Sequence, residues 1–261
     1  MKDTKDILHR QNILGVGISA VNMDSAIHTI QGWIKSGTRE YVCVASVHGV
    51  MECQRSVELR RIHNNAGIVT PDGMPLAWLL RATGHSDSDR VCGPELMPRL
   101  LIEGQVRGDT HFLYGATEDT LQRLRYRLSE IAPQARIVGI FAPPFRTMTA
   151  EEDAAVVDYI NNCAPDIIWV GLSTPKQELW MAAHRPVLKA AALIGVGAAF
   201  DIHAGLRRRA PHFLRRSGFE WTWRLLNEPR RLWGRYLRNN PQFAILATLQ
   251  MAGLLKRPLQ S

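Results

Sequence analysis

Ile167-Ile168-Trp169-Val170-Gly171-Leu172-Ser173-Thr174-Pro175-Lys176-Gln177-Glu178 changes character half-way along. The first half is a short, charge-free run rich in β-branched residues, which reads as a strand buried on both faces. The second half reads as a helix start. Thr174 with Gln177 three residues on has the form of a capping box, and Pro175 suits the first helical position. A strand that ends in a turn and feeds a helix predicts a parallel sheet, whose ligands sit beyond the strand ends. The free N–H groups of such a helix start also suit an anion or a nucleotide.

Outward from this stretch the same alternation repeats. Tyr41–Ser46, Gly67–Val69, His111–Tyr114, Arg136–Ile140 and Ala192–Val196 are further candidate strands. Between them lie helices with readable starts. Asp24 precedes a periodic stretch to about Ile34, Thr117 is followed by Glu118 and Asp119, and Thr149 with Glu152 forms a capping box. The expected fold is α/β: a Rossmann-like, mostly parallel sheet with helices on both faces. With 46% hydrophobic and 21% charged residues, the 261-residue chain has enough apolar material for a large core and is not a disordered polymer.

Charge is unevenly placed. Residues 206–261 contain twelve Lys/Arg against two Glu, so most of the chain is near neutral although the total is +8. We expect an α/β core over 1–204 and a basic, aromatic, helical appendage over 205–261. Arginines interleaved with Trp221, Trp223, Trp233 and Tyr236 suit an anionic partner, either a membrane surface or nucleic acid. No helix-turn-helix, zinc-finger or RNP-type pattern supports nucleic acid. The uncharged run Phe243–Leu255 is too short to span a bilayer and reads as an interfacial helix. Met1–Asn12 lacks the form of a signal peptide. The four cysteines (Cys43, Cys53, Cys92, Cys163) include no C-x-x-C pair, which argues for a reducing compartment.

Several residues could carry chemistry. Asp72 lies in Thr70-Pro71-Asp72-Gly73-Met74 at a strand end, where it could act as a general base, although P-D-G is also a common turn sequence. Arg90 could bracket a diphosphate. Asp87-Ser88-Asp89 matches the D-x-D form of some metal sites, but its default reading is a solvated loop. Gly195-Val196-Gly197 allows close approach of a ligand to backbone, yet lacks the third glycine of a dinucleotide fingerprint, so no NAD or other cofactor is implied. Gly15-Val16-Gly17 reads as a turn.

Taken in order, V-T-P-D-G-M (69–74), R-V-C-G-P-E-L (90–96), G-L-S-T-P-K-Q-E (171–178), G-V-G-A-A-F-D-I-H-A-G (195–205) and G-F-E-W-T-W-R-L-L-N-E-P-R-R (218–231) resemble the WecG/TagA/CpsF glycosyltransferases. The resemblance implies an inverting, metal-independent transferase. Its donor would be a UDP-sugar and its acceptor a saccharide linked to a polyprenyl diphosphate. It would work in bacterial cell-surface polysaccharide synthesis as a cytoplasmic protein, peripheral on the inner face of the plasma membrane. A homo-oligomer is compatible with this. The resemblance also places the catalytic aspartate at Asp72, a catalytic arginine at Arg90, and substrate contacts at Gln177, Arg224 and Arg231. A further family arginine falls on Gly234, with Arg235 beside it. Gly195 and Gly197 join the expected substrate contacts. Where the family has T-x-N, this chain has Ser46-Val47-His48, so the sugar could be of N-acetylmannosamine type, glucose or another hexose.

Overall fold

The computed structural model describes residues 8–259. In chain order its elements begin with β1 (Arg10–Ile13), β2 (Val16–Ser19), α1 (Met23–Ser36), β3 (Glu40–Ala45), α2 (Val47–Arg55), α3 (Val57–Asn65), β4 (Ile68–Pro71) and α4 (Met74–Ala82). They continue with α5 (Gly93–Arg107), β5 (Thr110–Gly115), α6 (Glu118–Ile131), β6 (Arg136–Phe141), α7 (Ala150–Cys163), β7 (Ile167–Gly171) and α8 (Lys176–His184). The last are β8 (Ala192–Gly195), α9 (Ala199–His203), α10 (His212–Arg216), α11 (Glu220–Asn227) and α12 (Pro229–Met251). Each candidate strand read from sequence is present, with every end within two residues of its expected position.

The chain divides into two compact units, both discontinuous in sequence. One comprises Met1–Ala26, Ala45–Val91 and Ala210–Ser261; the other comprises Ile27–Val44 and Cys92–Arg209.

The second unit holds parallel strands in the order β3-β8-β7-β5-β6. Its strand β7 is buried from Ile167 to Val170, as its uninterrupted apolar sequence requires. Trp169, Tyr114, Phe112 and Phe200 are the largest side chains in this core. Helices flank the sheet, and their starts follow local chemistry. Thr117 accepts from the Thr120 N–H, and Thr149 and Glu152 make the reciprocal capping box. At the end of β7, Gly171 has no space for a side chain, because a Cβ would stand 2.4 Å from the Phe200 ring.

The capping box expected at Thr174 and Gln177 is not formed. Helix α8 starts at Lys176, so Gln177 is too early in the helix to reach back to a cap. The Thr174 hydroxyl instead donates to Glu178 at 2.8 Å, and Gln177 Nε2 donates to the same carboxylate at 3.0 Å.

The first unit contains the antiparallel hairpin β1–β2, strand β4, helices α2 to α4 and helices α10 to α12. The hairpin turns at Leu14-Gly15, both at positive φ, as a tight two-residue hairpin turn requires. The turn is tied down on two sides: Gln54 Nε2 donates to the Leu14 carbonyl at 2.6 Å, and the Leu14 N–H donates to Gln250 at 2.8 Å. Arg10 completes the anchoring by donating to the carbonyls of Asn64, Ala66 and Gly67. Helix α12 packs on α2 and turns Leu232, Asn239, Phe243 and Ala247 inward. Trp233, Leu237 and Ile245 on the same helix are exposed. Among the described residues no helix is long and apolar enough to cross a membrane.

Candidate active site

Within the first unit, a cavity of about 590 Å³ opens where β4 and α2 end or begin. Ser46 and His48 come from the start of α2, and Asp72 follows β4 directly. Backbone bonds fix this corner: the Asp72 N–H donates to the Ala45 carbonyl at 2.8 Å, and the Val91 N–H to the Pro71 carbonyl at 3.0 Å. Asp72 and Arg90 are thereby brought together across an intervening helix. The Ser46 hydroxyl makes no capping bond to α2, although Ser46 holds the N-cap position.

Arg90 is the hub of the polar wall. Its Nε donates to the Asp72 carbonyl at 2.5 Å, and its Nη2 stands 3.6 Å from Asp72 Oδ1. The same Nη2 donates to Glu220 at 2.6 Å, and Arg224 donates to the other Glu220 oxygen at 2.6 Å. Glu220 therefore bridges two guanidiniums at charge-assisted hydrogen-bond lengths. Loss of hydration would lower the Arg224 pKa, but the Glu220 and Asp72 carboxylates more than offset it and hold the guanidinium above its ordinary range. Desolvation raises Tyr236, against the opposing charges of Arg224 and Arg235. With Arg215 and Arg235, four arginines line the cavity against the two carboxylates Asp72 and Glu220. This excess of positive charge suits a ligand with at least two negative charges.

Much of the remaining lining is apolar. Met74, Trp78 and Leu79 from α4 contribute to it, as do Phe243, Ala247 and Met251 from α12. One cavity thus combines four arginines with extensive apolar surface.

His48 is largely buried, and its pKa falls to about 4, chiefly through desolvation and secondly through the Arg235 charge. It enters the cavity neutral at physiological pH.

The structure thus gathers Ser46, His48, Asp72, Arg90, Arg224 and Arg235 around one cavity. Gln177, Gly195 and Gly197 lie in the second unit and form their own cluster. A Cβ on Gly195 would meet Gln177 Nε2 at 3.0 Å, and one on Gly197 would meet Gln177 Oε1 at 3.3 Å. Arg231 falls within α12, and its side chain lies outside the described residues. In the D-x-D triplet, Asp89 accepts from Arg81 at 2.6 Å and from the Arg90 N–H at 2.8 Å. Among the described residues no three His, Cys, Asp or Glu side chains are grouped to hold a metal ion.

Sequence reading missed Glu220 and Asn239. Glu220 carried one signal, its i,i+4 spacing from Arg224. Asn239 carried none, because its partners Arg55 and His48 lie 184 and 191 residues away.

The chain is similar to an N-acetylglucosaminyldiphosphoundecaprenol N-acetyl-beta-D-mannosaminyltransferase of Staphylococcus aureus (strain MW2), 28% identical over 223 residues that cover 85% of this chain and 86% of the relative. A protein of the same name from Bacillus spizizenii is 26% identical over 197 residues, covering 76% of this chain and 74% of the relative. The sequence model described as Glycosyl transferase WecG/TagA/CpsF family matches residues 11–257. Over nearly its whole length, then, the chain belongs to the WecG/TagA/CpsF family of glycosyl transferases.

Proposed function

We propose that this protein transfers a sugar from a UDP-sugar to a polyprenyl-diphosphate-linked saccharide, with inversion at the anomeric carbon and without a metal ion. The observation that carries the reading is the placement of Asp72 beside Arg90 in a cavity lined by four arginines and by apolar side chains. The names of the two relatives supply the acceptor class, a diphosphoundecaprenol-linked sugar.

In this reading the Asp72 carboxylate takes the proton of the acceptor hydroxyl as its oxygen attacks the anomeric carbon. The bond to the UDP oxygen breaks on the opposite face, and the diphosphate leaves carrying the electron pair. Arg90, Arg224 and Arg235 stabilise the charge that develops there, the work a divalent cation does in other enzymes. The apolar lining from α4 and α12 takes the first part of the lipid. The exposed Trp233, Leu237 and Ile245, with the neighbouring arginines, suit contact of α12 with an anionic membrane surface. Gln177, Gly195 and Gly197 form a further substrate-binding cluster.

The test is release of UDP from UDP-N-acetylmannosamine or UDP-glucose with an N-acetylglucosaminyl-diphospho-polyprenol acceptor. Turnover should persist in EDTA and fall by about 10²–10⁴-fold in Asp72→Asn. Loss of turnover on chelation, or undiminished turnover in Asp72→Asn, would overturn the mechanism.

A further inference from the structure

At the edge of the cavity, Arg55, Asn239 and His48 form a directed chain of hydrogen bonds. Arg55 Nη2 donates to Asn239 Oδ1 at 2.6 Å. A guanidinium can only donate, so this bond fixes which end of the amide is oxygen. The amide nitrogen of Asn239 is then the atom 3.0 Å from His48 Nδ1. It too can only donate, so Nδ1 must present its lone pair, and the single proton of the neutral ring sits on Nε2.

The surroundings reinforce this tautomer. Asn239 is 3% exposed on the inward face of α12, so its amide is held in place. A proton on Nδ1 would set two donors against each other. Among the described residues Glu52 is the carboxylate near that nitrogen; it stands 3.6 Å away and accepts from Arg55 at 2.6 Å. Among the described residues no group bonds to Nε2.

We infer that the Arg55–Asn239 relay makes His48 a fixed Nε2–H donor, which determines sugar specificity by meeting an acceptor oxygen of the bound nucleotide sugar. Arg55 and Asn239 are the positioning residues. The inference rests on the reading that this cavity takes a nucleotide sugar. It also removes His48 as a rival base, because the nitrogen left for the ligand carries a proton at neutral pH.

Nitrogen-15 NMR of the full chain, labelled at histidine and assigned by loss of the signal in His48→Gln, reads the tautomer directly. Between pH 6 and 8, Nδ1 should be pyridine-like and Nε2 pyrrole-like. Addition of UDP-N-acetylmannosamine, with UDP-glucose in parallel, should shift Nε2. Asn239→Asp replaces the donor with an acceptor and should move the proton to Nδ1, raising KM for the nucleotide sugar about tenfold with a smaller change in kcat. Arg55→Met, which releases the amide to rotate, should give a mixture of tautomers. His48→Ala should lose a similar factor in KM, part of which His48→Gln recovers through its own N–H. A wild-type ring protonated on Nδ1 overturns the relay. A switched tautomer with unchanged KM, or a turned-over sugar that leaves Nε2 unmoved, overturns the specificity role. Failure to bind either UDP-sugar overturns the contact together with the functional reading, while the tautomer is judged by its own spectrum.

Discussion

Arg90 holds a backbone carbonyl and two carboxylates at once through the separate nitrogens of its fork. Its Nε is committed to the Asp72 carbonyl, while Nη2 reaches both Glu220 and the Asp72 carboxylate. Arg90→Lys keeps the charge but loses the planar fork, so kcat/KM should fall by about 10²-fold, measured as UDP release, with the fold intact by circular dichroism. Glu220 makes the opposite prediction. Its carboxylate sits between the guanidiniums that the proposed diphosphate would engage, so Glu220→Gln should tighten UDP binding by about tenfold in calorimetry. Unchanged or weaker binding would mean that the arginines need Glu220 more than they compete with it. Asp72 and Arg90 were singled out from their own surroundings in the sequence, whereas Arg224 came only from the family resemblance. Glu220 bonds to Arg90 across 130 residues, and no local pattern encodes a bond of that span.

At the level of elements, strands were the easiest to read, because burial on both faces leaves uninterrupted apolar runs such as that of β7. The caps at Thr117 and Thr149 were equally readable, since capping is settled within four residues. Helix α8 shows where this fails. Thr174 and Gln177 have the right spacing, but the helix starts too late for them to pair, and Glu178 takes both side chains. The hairpin β1–β2 escaped notice because Arg10-Gln11-Asn12-Ile13 has almost no apolar content, and its anchors Gln54, Asn64 and Gln250 are remote. A sharper element-scale test lies at the end of β7. Gly171→Ala drives a methyl into the Phe200 ring and should destabilise the protein by about 2 kcal/mol in urea unfolding.

On the scale of the whole molecule, each unit carries a neutral buried histidine. Burial is the main cause in both cases: it lowers His48 and His111 from 6.5 to about 4. The unfolded chain therefore binds more protons between these limits. Stability from each is full above pH 6.5 and is lost as pH falls toward 4, by an amount on the order of 3 kcal/mol. The urea midpoint should decline over that window, and His111→Gln should flatten the decline; a profile level from pH 7 to 4 would refute it. The α/β class and the helical nature of the basic segment could be read from alternation and charge. The grouping of the segments could not, because Ala45–Val91 and Ala210–Ser261 are joined only by long-range packing. This grouping has a consequence for biosynthesis. The polypeptide leaves the ribosome in order, so the unit ending at Arg209 has all its parts first, whereas its neighbour must wait for α11 and α12 to emerge. The walls around Asp72 close only after that, and a nascent chain stalled before Ala210 lacks Arg215, Arg224 and Arg235 of the proposed site.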